Sequence, residues 1–108
     1  MKPGAKLTEA DLQRLIMIEL SAAGHFVERI QSGLLYTKDM RPVRIGFPGR
    51  SDLSGFRAGD CRAYFLEIKT ATGRATAEQL AFIAAMQKRG AIAGVVRSVQ
   101  DALNLLIV

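Results

Sequence analysis

Apolar positions recur at helical spacing near the start of the chain, where they predict an amphipathic helix. Thr8 followed by Asp11 resembles a capping box, which marks a helix start, and Gly24 is a natural stop. The predicted buried face consists of five apolar residues: Leu12, Leu15, Ile16, Leu20 and Ala23. The first element is therefore predicted to be a helix that packs one side against a core.

The middle of the chain favours strands. Short strands are expected at 26–30 and 51–56. Between them, residues 31–50 are interrupted by prolines and glycines and predict a loop, with a brief extended piece around 34–36. The clearest strand spans 62–69, because its apolar residues alternate in a way that places successive side chains on opposite faces of a sheet.

The last third of the chain predicts a helix, a strand and a helix. Thr76 and Gln79 form a capping box for the second helix, which ends at Gly90. Its predicted inner side is apolar: Leu80, Ile83 and Ala84. A short apolar strand follows at 92–96, and Ser98 caps a final helix. The order αβββαβα predicts an α/β fold, in which helices flank a central mixed sheet.

Length and composition limit the class of protein. The chain has 108 residues, of which 49% are apolar and 23% charged, and this predicts one folded domain over residues 1–108. A single cysteine, Cys61, excludes an internal disulfide and a zinc site built from several thiolates. The start does not resemble a signal peptide, and no apolar run approaches the ~18 residues that span a bilayer. We therefore expect a soluble, intracellular protein of the cytoplasm.

Basic residues are concentrated in one segment. Lys and Arg number 15 against 10 Asp and Glu, which gives a net charge of +5. Only two acidic residues lie between positions 29 and 57. The same segment contains six basic residues: Arg29, Lys38, Arg41, Arg44, Arg50 and Arg57. This distribution favours a polyanionic partner. A solvated loop kept soluble by its charges is the alternative.

Two carboxylates are predicted to meet on the sheet. Glu67 and Lys69 are two positions apart on a strand, so their side chains leave the same face, and Asp52 lies on the neighbouring strand. Neighbouring carboxylates repel each other unless a cation lies between them. Hard oxygen ligands without a Cys or His cluster favour Mg²⁺ or Mn²⁺. A Glu-x-Lys pair alone is common on exposed strands, so the bland alternative is a surface ion pair.

The surrounding motifs make that alternative weaker. They form a set along the chain: Gly46-Phe47-Pro48-Gly49-Arg50-Ser51-Asp52, Phe65-Leu66-Glu67-Ile68-Lys69, Gly73-Arg74-x-Thr76-x-x-Gln79 and Gly90. Together they resemble the virus-type replication-repair nuclease (VRR-NUC) domain of the PD-(D/E)xK nuclease superfamily, over about residues 8–101. One departure is Ser51, which stands where the motif has a proline; that proline sets backbone direction and is not a ligand.

The resemblance implies metal-dependent hydrolysis of phosphodiester bonds in DNA, on a restriction-endonuclease-like sandwich. Matched by position, Asp52 and Glu67 would be ligands of Mg²⁺ or Mn²⁺, and Lys69 the catalytic lysine. Gln79 matches a glutamine of the active site, although its capping box is a sufficient structural role. The implied enzyme is a deoxyribonuclease acting within DNA, on branched or single-stranded forms, in replication, repair or recombination.

A third metal ligand is expected on the first helix. Glu9 matches the family's position and is spaced to face the sheet, and we prefer it to Glu19, which lies within the apolar stripe. DNA contacts are expected from the basic segment: Arg29, Arg41, Arg44 and Arg50.

Two other functions compete with a nuclease. A catalytically silent nucleic-acid-binding module would keep the fold and the basic segment, and a basic scaffold would explain the charge but not the two carboxylates and the lysine. We also expect a homodimer, because the chain is small and residues 103–108 are more apolar than one helical face requires. Stand-alone domains of this kind resemble phage-type or mobile-element proteins.

Overall fold

A computed structural model describes residues 7–30, 33–45 and 51–107. They form three helices and six strands: α1 (Glu9–Ala22), β1 (Phe26–Arg29), β2 (Gly33–Tyr36), β3 (Pro42–Ile45), β4 (Leu53–Phe56), β5 (Ala63–Ile68), α2 (Ala77–Lys88), β6 (Ile92–Val96) and α3 (Val99–Leu105).

Four of these strands make one mixed sheet in the order β1-β4-β5-β6. β1 and β5 each pair with β4 in antiparallel fashion, whereas β6 runs parallel to β5. A parallel pair needs a crossover connection, which α2 provides. The predicted α/β sandwich with a central mixed sheet is therefore confirmed.

β2 and β3 form a separate antiparallel hairpin between β1 and β4. The extended piece expected around 34–36 is confirmed as β2, but the loop expected through residue 50 is wrong where β3 lies. β3 is only four residues long, begins at Pro42, and has its partner in the same hairpin. A proline is compatible with the first residue of a strand, but it made the local pattern favour a loop.

The ends of α1 are set by local hydrogen bonds, as predicted. The Asp11 N–H donates to Thr8 Oγ1 at 3.0 Å, and the Thr8 N–H donates to the Asp11 carboxylate at 3.3 Å. Gly24 ends the helix with a φ of +93°, a conformation that glycine adopts without strain. The buried face of the helix consists of Leu12, Ile16 and Leu20. Leu15 and Ala23, which were predicted to be on it, are exposed.

The two faces of β5 pack against different helices. Tyr64, Leu66 and Ile68 are fully buried in the core that α1 and α3 cover. Burial of each such side chain contributes about 1.5–3 kcal/mol to folding. On the other face, the ring of Phe65 lies edge-on to that of Phe82 in α2, with 5.5 Å between centroids. The alternation predicted for this strand is confirmed, and it directs Glu67 towards α2.

β1 and β4 approach each other closely, and this contact fixes β1 beside the start of β4. The Tyr64 hydroxyl donates to the Phe26 carbonyl at 2.6 Å, across Gly55. A Cβ at Gly55 would lie 1.8 Å from the same carbonyl oxygen, so only glycine fits there. At the far end of the pair, the Ile30 N–H donates to the Asp52 carbonyl at 3.0 Å. β1 therefore supports the backbone of Asp52.

The apolar C-terminus is used mainly by the protein's own core. Leu106 is buried, and Leu103 and Leu105 pack against the core cluster. Ile107 is 69% exposed, and its carbonyl accepts a hydrogen bond from Arg57 at 3.2 Å. Val108 lies outside the described residues. Among the helices of the described ranges, none combines the length and apolar character needed to cross a membrane.

Candidate active site

Asp52 is held against β5 by hydrogen bonds from two directions. Its N–H donates to the Leu66 carbonyl at 3.0 Å, and its carboxylate accepts from the Ile68 N–H at 2.8 Å. These two residues flank Glu67 in β5. The structure therefore brings together Asp52 and Glu67, as the strand pairing predicted.

Glu67 is a buried carboxylate, and among the described residues only one of its oxygens accepts a hydrogen bond. The residue is 1% exposed. Oε1 accepts a hydrogen bond from Gln79 Nε2 at 2.8 Å and lies 3.6 Å from Lys69 Nζ. Oε2 is buried and has no hydrogen-bond partner among the residues that the structure describes. Such an orphaned oxygen is rare in a folded protein, because nearly all buried polar atoms are hydrogen-bonded.

The surroundings of Glu67 oppose its ionisation. Burial first, and repulsion from the neighbouring Asp52 carboxylate second, together raise the pKa of this carboxyl to about 7. Lys69 acts in the opposite direction but does not compensate. Two close carboxylates, one with a buried free oxygen, therefore form a donor set that fits a hard divalent cation.

Gln79 performs two roles with one amide. Its side-chain Oε1 accepts a hydrogen bond from the Thr76 N–H at 2.8 Å. Its backbone N–H donates to Thr76 Oγ1 at 3.1 Å, which completes the predicted capping box. The amide nitrogen remains free to donate to Glu67. The start of α2 thus holds one oxygen of the Glu67 carboxylate in place.

Lys69 follows β5 and is held with little freedom. Its N–H donates to the Val96 carbonyl at 3.1 Å, which extends the parallel ladder. Its stem packs beside Gly73, where an added Cβ would lie 3.6 Å from both Lys69 Cβ and Cδ. The side chain is 15% exposed. The ammonium therefore lies at the mouth of the site next to the Glu67 carboxylate.

α1 does not supply a third buried carboxylate. Glu19 is exposed, so the expectation that it lies in the buried stripe is wrong, and Glu9 is exposed at the start of the helix rather than facing the sheet. Within residues 7–30, 33–45 and 51–107, no group of three or more acidic, His or Cys side chains could hold a metal ion. Glu9 as a metal ligand stays a prediction, and the donors that the structure brings together are Asp52 and Glu67.

The predicted DNA-contacting arginines are placed differently from one another. Arg29 ends β1 opposite Leu53 and, with Arg14 of α1, lines a small cleft of about 170 Å³. Arg41 is exposed in the hairpin, 3.1 Å from the Asp39 carboxylate. The Arg44 side chain and all of Arg50 lie outside the described residues.

One basic residue of that segment has a structural role instead. Arg57 is buried, forms an ion pair with Asp60, and donates to the C-terminal backbone. His25, which no motif included, lies just before β1 and accepts a hydrogen bond from the Ala58 N–H at 2.9 Å. This bond connects the start of β1 to the turn that follows β4.

Sequence reasoning missed a cleft beside the carboxylates. The cleft has a volume of about 780 Å³ and lies at the end of β6, between the 71–75 loop and the start of α2. Leu80, which was predicted to face the core, is 52% exposed in its wall. The inner stripe of α2 begins one residue earlier and consists of Gln79, Phe82, Ile83 and Met86. A hydrophobic pattern that skipped the polar Gln79 included Ile83 correctly but added Leu80 and Ala84, which are both exposed.

A solved structure described as a VRR_NUC domain has the same fold as this chain. The two match with a TM-score of 0.65 and 23% sequence identity, over 90% of this chain and 91% of the other. No family model matches the sequence, and no curated protein matches it either. The fold is the restriction-endonuclease-like α/β sandwich. More particularly, it is the fold of a VRR_NUC domain, which confirms the fold that the resemblance implied.

Proposed function

We propose that this protein is a metal-dependent DNA endonuclease that hydrolyses phosphodiester bonds, on branched or single-stranded DNA in replication, repair or recombination. One observation carries the proposal. The buried Glu67 Oε2 has no partner among the described residues and lies beside a second carboxylate, Asp52. A structural ion pair would not need an unsatisfied buried oxygen, whereas a cation site does.

The proposed roles follow from the contacts of each side chain. Asp52 and Glu67 would hold Mg²⁺ or Mn²⁺, which when bound supplies polarisation of a phosphoryl oxygen and a water of lowered pKa. The Gln79 amide occupies Glu67 Oε1 and so leaves Oε2 for the cation. The Lys69 ammonium would stabilise the negative charge that develops on the phosphate.

The substrate class follows from charge and fold together. A basic chain with a net charge of +5 favours a polyanion, and phosphate contacts are the main source of affinity for DNA. Arg29 and Arg14 face a cleft near the end of β1, beside the strand that Asp52 precedes. We assign phosphate contacts to Arg29, Arg41, Arg44 and Arg50. Arg41 is expected to contribute least, because Asp39 neutralises it.

The first test is metal binding and cleavage in Asp52→Ala. Wild-type protein should bind Mn²⁺ in a calorimeter and cleave DNA only when Mn²⁺ or Mg²⁺ is present. Asp52→Ala removes one of two ligands, so both signals should vanish. Substrates are single-stranded, duplex and four-way DNA, which also reveals the preferred form.

The matched control is Glu78→Ala, because Glu78 is an exposed carboxylate in the first turn of α2. Unchanged Mn²⁺ binding in Asp52→Ala would contradict the assigned site and return attention to Glu9. A wild-type protein that binds DNA but cleaves none of the three forms, with either metal, would instead be a silent nucleic-acid-binding module.

We also propose that the protein acts as a homodimer. Phe26 and Phe56 lie exposed and side by side on β1 and β4, with ring centroids 5.9 Å apart. Ile107, which follows α3, is also exposed. Adjacent exposed aromatic rings favour burial against a partner. Sedimentation at micromolar concentration should give a dimer for the wild type and a monomer for Phe26→Lys. A monomeric wild type would contradict the proposal.

A further inference from the structure

The cleft of about 780 Å³ beside the carboxylates has no role in the proposed chemistry. Its walls are the 71–75 loop, Leu80 at the start of α2, and the end of β6 at Val95 and Arg97. Pockets of this size accommodate small molecules or one unit of a polymer. The cleft is therefore large enough for a nucleotide.

Two of its walls adjoin the site directly. Val95 is the parallel-strand partner of Glu67, so the two side chains leave the same face of the sheet on strands about 4.8 Å apart. Leu80 follows Gln79, the residue that donates to Glu67. A polymer whose phosphate lies at the carboxylates would therefore place its next unit in this cleft.

The loop that forms the outer wall is fixed in place. The Arg97 Nη1 group donates to the carbonyls of Thr70 and Gly73, both at 2.6 Å. Gly73 in turn packs beside the stem of Lys69. The cleft and the lysine therefore share one support, and the wall does not need to be ordered by a ligand.

The lining combines apolar and cationic groups. Leu80 is 52% exposed and Val95 is half-buried, which leaves aliphatic surface open to solvent. Arg74 is exposed and makes no ion pair with any residue of the described ranges. A fitting ligand has an anionic group next to a flat or ring-shaped apolar body, which is the chemistry of a nucleotide.

We propose that this cleft is a subsite for the nucleotide next to the phosphate that is cleaved. Arg74 binds the phosphate of that nucleotide, and Leu80 and Val95 contact its sugar and the face of its base. Aliphatic contacts do not distinguish the edges of bases, so the subsite binds DNA without a sequence preference. This inference rests on the proposed nuclease function and assigns a part of its substrate.

The test uses Arg74→Ala and Leu80→Glu, at two exposed positions where a change should leave the fold intact. Lys88→Ala removes a charge at the far end of α2, and Ala81→Glu adds the same carboxylate on an exposed position outside the cleft. Binding to a labelled single-stranded DNA of about 12 nucleotides is measured by fluorescence anisotropy, with Ca²⁺ in place of Mg²⁺.

Both cleft variants should bind about tenfold more weakly at low salt, and both controls should stay within about twofold of wild type. Arg74→Ala should also reduce the slope of log affinity against log salt by about 1, because one phosphate contact is lost. A second measurement needs no variant. A 5′-phosphorylated DNA dinucleotide should shift the NMR signals of the Leu80 and Val95 methyl groups more than those of Ile107.

The outcomes separate this inference from the function on which it rests. If the wild type cleaves DNA but the cleft variants bind like their controls, or the Leu80 and Val95 methyl signals do not move, the subsite is wrong and the nuclease stands. If the wild type cleaves no DNA with Mg²⁺ or Mn²⁺, the proposed function fails, and the subsite for a cleaved strand fails with it.

Discussion

Lys69→Ala should lower the rate of DNA cleavage by ~10²-fold or more, equivalent to ~2.7 kcal/mol, while leaving DNA affinity nearly intact. The ammonium cannot be a metal ligand, because it would repel a divalent cation. Its place at the mouth of the site, 3.6 Å from Glu67 Oε1, suits a group that stabilises charge on the phosphate. The rate is measured in single-turnover reactions at saturating DNA.

Lys69 also lowers the pKa of Glu67, so its removal favours the protonated carboxyl. The reaction is therefore followed at pH 8.5, well above the pKa of about 7 of Glu67 in the wild type. Lys69→Met keeps the stem that packs beside Gly73 and should be as slow as Lys69→Ala. Lys88→Ala, a basic deletion far from the carboxylates, should be unaffected. Cleavage by Lys69→Ala at the wild-type rate would contradict the catalytic role and leave Lys69 only as the ion-pair partner of the buried Glu67.

Glu67→Gln should stabilise the metal-free protein at neutral and higher pH, although it removes a group of the active site. The folded-state pKa of Glu67 is about 7, above its ordinary value of 4.5, so the folded state holds the proton more tightly than the unfolded state. The resulting stability is complete below pH 4.5 and is lost as the pH rises through 7. The loss amounts to about 3 kcal/mol, since one pKa unit corresponds to about 1.4 kcal/mol.

Urea unfolding between pH 4.5 and 8.5, in the presence of a chelator, tests this expectation. The free energy of unfolding of the wild type should decrease across that range because the Glu67 carboxyl loses its proton. Glu67→Gln should remove this decrease, whereas Glu78→Gln, at an exposed position, should not. Added Mn²⁺ should restore stability to the wild type at pH 8, because it binds the folded state only, and should not stabilise Glu67→Gln. Equal pH profiles for wild type and Glu67→Gln would mean that folding does not raise the pKa of the buried carboxyl.

The placement of the candidate site residues was predicted, but their detailed hydrogen bonding was not. The alternation of β5 and its hairpin with β4 brought Asp52, Glu67 and Lys69 together, and the structure confirms that placement. Nothing in the sequence shows that one oxygen of Glu67 lacks a partner among the residues that the structure describes. That depends on where the Gln79 amide lies, which is set by the packing of α2 on the sheet.

The errors on the two helices share one physical cause. Glu19 was expected in the buried stripe of α1, and Leu80 on the inner face of α2, but both are exposed. Helical periodicity defines which residues share a face, but the contact with the sheet decides which of several overlapping stripes is buried. Arg57 was counted only as one charge of the basic segment, since its ion pair with Asp60 is recognised only when the turn is folded.

The sequence by itself determined the features that depend on hydrogen bonds and side-chain periods within a few residues. Thr8 and Thr76 begin their helices, and the period of two in β5 separates a core face from a functional face. Tertiary structure alone decided the features that need partners distant in the chain: the raised pKa of Glu67, the double role of Gln79, and the cleft beside β6. Burial and electrostatic repulsion act between groups that only the folded sheet brings together, and a local pattern contains no information about them.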